Sequence, residues 1–369
     1  ILRTAGMHVG LYTSPHLVRL GERVQVDRHR LTEDEIVAFT RELKGIADAL
    51  GETGEDNHPS FFEFMTAMAF LQFARKHCDV GVVEVGLGGE LDATNIVEPL
   101  ITAITSIGLD HCEMLGHTLG EIAQAKAGIL KPGIPVVIGR LPEEAEVVIR
   151  RRASDLGCKV ISVREEFGEV LADYPETALE GDFQQWNAAT ATLVARALPP
   201  EWGIDEAVIK RGLASATWPA RWQRLSVGGQ SYILDASHNP EGARGLDFNL
   251  AELIRVTGQK PTVVVGCLGI ARAGPLLEVV ARYAHEIHLV VPHQARACSF
   301  EQLRSLIPSQ FSGQIFDSDV AELFDDPAAC GRLCPERTVV ITGSIYLAGE
   351  VMSHFCPDFG NEEGHLQDF

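Results

Sequence analysis

The strongest constraint on the fold is an alternation. Short runs of β-branched apolar residues are separated by stretches with helical periodicity, the order expected of a mostly parallel sheet with crossover helices. Strands are expected over residues 8–12, up to Glu84, over 101–107, 136–138 and 159–163, and helices over 31–50, 61–77 and 182–197. Around 217–229 the pattern breaks into Trp, Pro, Arg and paired glycines. The alternation then restarts, with strands expected at 231–235, 262–266, 287–291 and 338–342. This predicts an α/β chain of two domains, residues 1–222 and a smaller nucleotide-fold-like domain over 229–352, ending in a loose acidic tail at 353–369.

The bulk numbers agree. At 369 residues the chain is long for one core, so two domains are the default. A net charge of −20 argues against nucleic acid or an anionic membrane as the main partner, since both would repel it. No apolar run approaches the roughly 18 residues a membrane span needs. The eight cysteines are scattered without a CxxC pair, and Cys330 and Cys334 have no paired ligand set, which favours reduced, mostly buried thiols in a cytoplasmic protein. Ile1 to Gly6 reads as the last turn of a helix closed by a glycine cap, so the sequence is expected to begin inside a longer protein.

The candidate chemistry gathers at strand ends. Glu84 closes an apolar strand and runs into Val85-Gly86-Leu87-Gly88-Gly89, with Asp92-Ala93-Thr94-Asn95 beyond. Open α/β sheets bind ligands at that edge, where a carboxylate holds magnesium beside a phosphate or simply meets solvent. His111, after Gly108-Leu109-Asp110, ends the next expected strand and is either a second ligand or structural. Thr118 and Glu121 form a capping box for a helix on which Leu119, Ile122, Ala123 and Lys126 share a face. A lysine on that stripe snorkels, pairs or changes its chemistry, for instance by forming an anionic carbamate. Asp235-Ala236-Ser237-His238 ends another strand, and Asn239-Pro240 reads as a helix N-cap followed by the first helical residue. Arg221 is either a phosphate clamp or a surface arginine.

The stretches Leu11-Tyr12-Thr13-Ser14-Pro15-His16-Leu17, Phe61-Phe62-Glu63, Glu84 to Gly89, Leu91-Asp92-Ala93-Thr94-Asn95, Leu109-Asp110-His111, Lys126-Ala127-Gly128-Ile129, Asp235 to Pro240 and Gly343-Ser344-Ile345-Tyr346-Leu347 occur in one order and spacing. In that order the chain resembles the folylpolyglutamate synthase and dihydrofolate synthase family of the Mur ligase superfamily. The resemblance implies a Mur-ligase-like P-loop NTPase domain, with its first P-loop strand missing, and a smaller Rossmann-like C-terminal α/β domain. It implies ATP-dependent joining of glutamate to dihydropteroate or a folate through an acyl phosphate, in a cytoplasmic monomer with Mg2+ as cofactor, ATP as co-substrate and no nucleic-acid or membrane partner. By the resemblance, Ser14, Glu84 and His111 would hold the metal and Lys126 would be carbamylated beside it, Lys126 and His111 being the catalytic pair. Asn187, Arg221, Asp235 and His238 would contact ATP. Ser60, Phe61, Phe62, Glu63, Leu91, Asp92 and Ala93 would line the folate pocket.

The sequence also departs from the family pattern. The family's glycine-rich phosphate loop is absent, and no Gly-Lys dipeptide occurs anywhere. Glu90 stands where an arginine is usual, Ala220 where a glycine is, Phe183 where a histidine is, and Ala271-Arg272-Ala273 replaces an acidic-basic-acidic triplet. Residues 1–369 alone are therefore expected to ligate poorly. A degenerate, non-catalytic paralogue and a cell-wall Mur-type ligase are the alternatives.

Overall fold

The computed structural model describes residues 1–54, 57–324, 333 and 336–355. The chain forms two compact units: unit 1 holds Ile1–Thr177 and Trp186–Ser215, and unit 2 holds Ala178–Gln185 and the described residues from Ala216 onward.

In unit 1, β1 (Val9–Tyr12), β2 (Val24–Val26) and β3 (His29–Arg30) precede the helices α1 (Glu33–Glu52) and α2 (Phe61–Arg75), which lead to β4 (Val80–Val83). The sheet order is β3-β2-β1-β4, with β1 parallel to β4 and antiparallel to β2. The β2–β3 hairpin escapes a sequence reading because its turn, Asp27-Arg28, takes left-handed backbone at both residues without a glycine. The Asp27 carboxylate anchors that turn by accepting the Val9 N–H at 2.8 Å and pairing with His8. Met65, Met68 and Ala69 on α2 pack against Tyr12, Val24 and Val26. β4 ends this sheet, and Val82 is 43% exposed.

A second, wholly parallel sheet follows. It contains β5 (Thr102–Ile104); then come α3 (Cys112–Leu115) and α4 (Leu119–Lys126), β6 (Val136–Ile138), α5 (Glu143–Asp155) and β7 (Val160–Ser162). The continuous apolar run of β6 reflects burial on both faces. Ile138 meets α4 and α5 through Ile122, Ala145 and Ile149, whereas Val137 faces Ala189 and Leu193. Those last two lie on α7 (Asp182–Arg196), which follows the short α6 (Val163–Phe167) and precedes α8 (Glu206–Ala214). The strand expected over 101–107 is thus only three residues long.

Unit 2 is one six-stranded sheet. β8 (Gln223–Val227) and β9 (Gln230–Leu234) form an antiparallel hairpin around Gly228-Gly229, both in left-handed backbone. The break at 217–229 therefore contains a strand, disguised by its alternating, half-exposed Gln-Arg-Leu-Ser-Val pattern. After α9 (Pro240–Thr257) come β10 (Thr262–Val265), α10 (Ile270–Tyr283), β11 (Glu286–Leu289), α11 (Phe300–Leu306), β12 (Gln314–Asp317), α12 (Val320–Phe324), β13 (Val339–Thr342) and α13 (Ile345–Phe355). The order is β12-β11-β10-β13-β9-β8, parallel except at β8. Leu246 and Leu250 of α9 and Leu276, Leu277 and Val280 of α10 pack on Val263, Val265 and Val340. On Tyr232, the rings of Phe324 and Phe355 close a separate aromatic contact. Residues 353–355 belong to α13, not to a loose tail, and the rest of the expected tail lies outside the described residues, as do Cys330 and Cys334.

Candidate active site

The parallel register of β1 and β4 pairs Tyr12 with Val83, and the ladder continues one step further through the Glu84 N–H to the Tyr12 carbonyl at 2.9 Å. Glu84 therefore leaves the sheet beside Thr13-Ser14. Its Oε2 accepts the Ser14 backbone N–H at 2.9 Å, just ahead of a cis Ser14–Pro15 bond. Glu84 is exposed and Ser14 half-buried, so a carboxylate and a hydroxyl residue meet at an open sheet edge. Such oxygen donors suit a hard divalent cation that keeps part of its water shell. Among the described residues no group of three or more His, Cys, Asp or Glu side chains is placed to hold a metal. An ion here would rely on Ser14, water or substrate oxygens to complete its shell.

The loop after Glu84 is shaped by its glycines. A Cβ on Gly86 would run into the Phe62 ring, so a larger residue here would force that ring to shift. A Cβ on Gly89 would come within 2.9 Å of the Ala125 and Lys126 carbonyls, at the end of α4. Tyr12 stands 5.7 Å from Phe62, ring centre to ring centre. The first turn of α2, the 84–89 loop and the end of α4 are thereby brought together.

The remaining expected pocket residues divide by role. Ser60 and Glu63 form the capping box of α2: Ser60 Oγ accepts the Glu63 N–H and the Glu63 carboxylate accepts the Ser60 N–H at 2.7 Å. Glu63 is held below its ordinary range by that backbone bond. Asp92 organises its own loop, accepting the N–H groups of Leu87 and Thr94, each at 2.9 Å. Ala93 begins the 3-10 turn Ala93–Ile96, which packs on α2. Leu91 is 99% exposed. Phe61, Phe62, Leu91 and Ala93 carry the apolar side chains of these stretches.

Two expectations are corrected. His111 does not end a strand: β5 stops at Ile104, and His111 is an exposed, left-handed residue preceding α3, its N–H bonded to the Asp110 carboxylate at 2.8 Å. Lys126 is half-buried rather than buried, because α4 ends on it and the fully buried positions of that helix are Ile122 and Ala123. The Thr118–Glu121 capping box is present as expected.

In unit 2, Asp235 follows β9 and is buried. Burial raises its carboxyl above the usual range, against the opposing pull of the Ser237 N–H and the Arg221 charge. Arg221 is exposed and lies between Ala220 and Trp222, both buried and both in left-handed backbone, so its position is set by strain on either side. A backbone bond from Ala236 to Ala220 ties Arg221 to the Asp235 loop at 2.9 Å. His238 is half-buried and its Nδ1 bonds the Ala236 carbonyl at 2.9 Å. Asn239 caps α9, with Pro240 at the first helical position. Asn187 is an exposed residue of α7, in unit 1.

Sequence reasoning missed a buried pair behind Phe61. Arg23 and His16 are each 5% exposed, and Arg23 Nε donates to His16 Nδ1 at 2.9 Å while its guanidinium lies 5.3 Å over the Phe61 ring. Burial, then the Arg23 charge, lowers His16 to about 4, so it is neutral and accepts. Both residues were visible in the sequence, but it takes the fold of residues 16–23, with Arg23 closing the 3-10 turn Leu20–Arg23, to bring them together.

Residues 34–195 match the Mur ligase middle domain, which together with the two α/β units puts the fold in the Mur ligase class. The chain is similar to the folylpolyglutamate synthase of Lacticaseibacillus casei, 32% identical over 95% of this chain and 84% of that protein. It is similar in structure to Escherichia coli FolC in complex with DHPP and ADP, with a TM-score of 0.79 and 30% identity, covering 95% of this chain and 83% of that one. The bifunctional folylpolyglutamate synthase/dihydrofolate synthase of Yersinia pestis, complexed with AMPPNP and a Mn ion, gives a TM-score of 0.77 at 31% identity over 95% and 83%. The chain belongs to the folylpolyglutamate synthase/dihydrofolate synthase family.

Proposed function

We propose that this protein joins L-glutamate to dihydropteroate, to a tetrahydrofolate, or to both, in an ATP-dependent reaction that serves folate synthesis and polyglutamylation in the cytoplasm. The observation that carries the reading is the meeting of Glu84 and Ser14 at a strand edge whose next turn, at Gly86, lies against Phe62. A site for a metal-bound phosphate thus adjoins an aromatic surface for a flat ring. The relatives crystallised with ADP, AMPPNP and a Mn ion support nucleotide and divalent-metal use. Among the described residues no helix is long and apolar enough to cross a membrane.

In this reading the substrate carboxylate attacks the γ-phosphorus of ATP and releases ADP. The glutamate amine then attacks the acyl carbon, loses a proton, and phosphate leaves. Phe61 and Phe62 bind the pterin ring by stacking, with neutral His16 fixing Arg23 behind Phe61. Ser14, Glu84 and His111 would hold Mg2+, which when bound offsets charge on the transferred phosphoryl group. Lys126, at the end of α4, would carry the carbamate beside it. Arg221, Asp235, His238 and Asn187 would contact ATP. The protein acts as a monomer.

The test is glutamate incorporation by the protein, with ATP, Mg2+ and either dihydropteroate or tetrahydrofolate. Product that requires both ATP and the metal supports the reading, and a folded protein that makes none overturns it. The protein is also expected to bind dihydropteroate, seen as quenching of its fluorescence.

A further inference from the structure

Beyond the site, unit 2 holds a pair of cysteines with no part in the proposed reaction. After β10 the chain makes an isolated antiparallel bridge, Leu268 opposite Ala297. One residue outward, Cys267 stands opposite Cys298, and the Cys298 N–H donates to the Cys267 carbonyl at 2.9 Å. On the other side of the bridge the Gly269 N–H donates to the Arg296 carbonyl at 3.2 Å, which fixes the register. Residues opposite each other in such a pair send their side chains to the same face, with Cα atoms about 5.5 Å apart. A disulfide spans Cα separations of roughly 4.4–6.8 Å. Both side chains enter the same apolar cluster, at 2% and 1% exposure.

We propose that Cys267 and Cys298 are a reversible disulfide site, oxidised by a low-molecular-weight disulfide such as oxidised glutathione. One cysteine thiolate attacks the glutathione disulfide and displaces one glutathione. The second cysteine thiolate attacks the mixed disulfide and displaces the other. Two electrons pass to glutathione, and the two cysteine protons end on the two released glutathione thiols. Burial raises both thiols, Cys267 to about 12, so exchange requires local opening. The segment carrying Cys298 can supply it, because His293, Ala295, Arg296 and Ser299 are all exposed. The crosslink would pin the turn leading into α10. It would also reach the candidate site: Cys267 Sγ lies 3.0 Å from the place of a Cβ on Gly343, and the Gly343 N–H donates to the Ser237 carbonyl at 3.1 Å.

The full chain, reduced and then equilibrated with reduced and oxidised glutathione at stepped ratios, is digested without reductant and its peptides weighed. A peptide joining Cys267 to Cys298, two hydrogens lighter than the sum of its parts, should appear as both thiols disappear together. Dithiothreitol should restore both. Cys267→Ala and Cys298→Ala should each abolish that peptide, with circular dichroism confirming that the variants are folded. The proposal is overturned if both thiols stay reduced across the series, if each takes up glutathione separately, or if either pairs with a different cysteine. The outcome is independent of whether the protein ligates glutamate.

Discussion

Because Glu84 accepts the Ser14 N–H through one oxygen, Glu84→Gln keeps an acceptor for that bond while removing the negative charge. The fold should survive and the reaction should suffer. At saturating ATP the expected loss in kcat is about 100-fold or more, the scale of removing one electrostatic group from a phosphoryl-transfer site. Metal titration of the residual activity should shift to higher concentration, whereas an unchanged midpoint would remove Glu84 from the metal site. Gly86→Ala places a methyl group in the Phe62 ring. It should raise KM for the pterin substrate while leaving KM for ATP near its original value; equal effects on both would place Phe62 outside the pocket. At this scale the residues were legible and their partners were not. Asp92 and Glu63 are expected from the sequence in the folate pocket, but folding directs each carboxylate to backbone N–H groups.

Among the elements, α4 was the clearest in the sequence, since the Thr118–Glu121 box announces its start and the structure forms it. Thr118→Ala removes the cap on the Glu121 N–H and should cost about 1 kcal/mol of stability in urea unfolding. No measurable change would mean that tertiary packing alone holds the helix. The long helices α1, α2 and α7 were legible for the same reason, as periodicity and caps are local signals. The hairpin β2–β3 and the strand β8 were not. β2 and β3 are three and two residues long and their turn lacks the glycine that usually marks one, while β8, paired with the expected strand β9, carries half-exposed polar residues that resemble a linker. His111 was misplaced because apolar character continues to Ile107 after sheet pairing has stopped at Ile104.

For the molecule as a whole, acid should be the weak side. His16 in unit 1 and His288 in unit 2 are both lowered, chiefly by burial. A histidine with a lowered folded value binds fewer protons folded than unfolded, so its contribution to stability is present above about pH 6.5 and is lost as pH falls toward the folded value. For His16, held near 4, the window runs from about pH 6.5 down to 4, and the full loss is on the order of 3 kcal/mol. Urea midpoints measured across that range should fall with pH, and His16→Gln should flatten the slope. A midpoint constant from pH 7 to 4.5 would show that neither histidine is buried in its neutral form.

The sequence by itself determined the α/β class, the long helices, the caps of α4 and α9 and the family, because burial periodicity, capping and motif order are written in neighbouring residues. Tertiary structure decided which groups meet. It set Ser14 against Glu84, Phe62 against Gly86, Arg23 against His16 and Cys267 against Cys298, and it left Lys126 half-buried. The physical reason is that strand register and loop closure join residues far apart in the chain. Each such contact depends on the free energy of the whole packed unit, which no local pattern records.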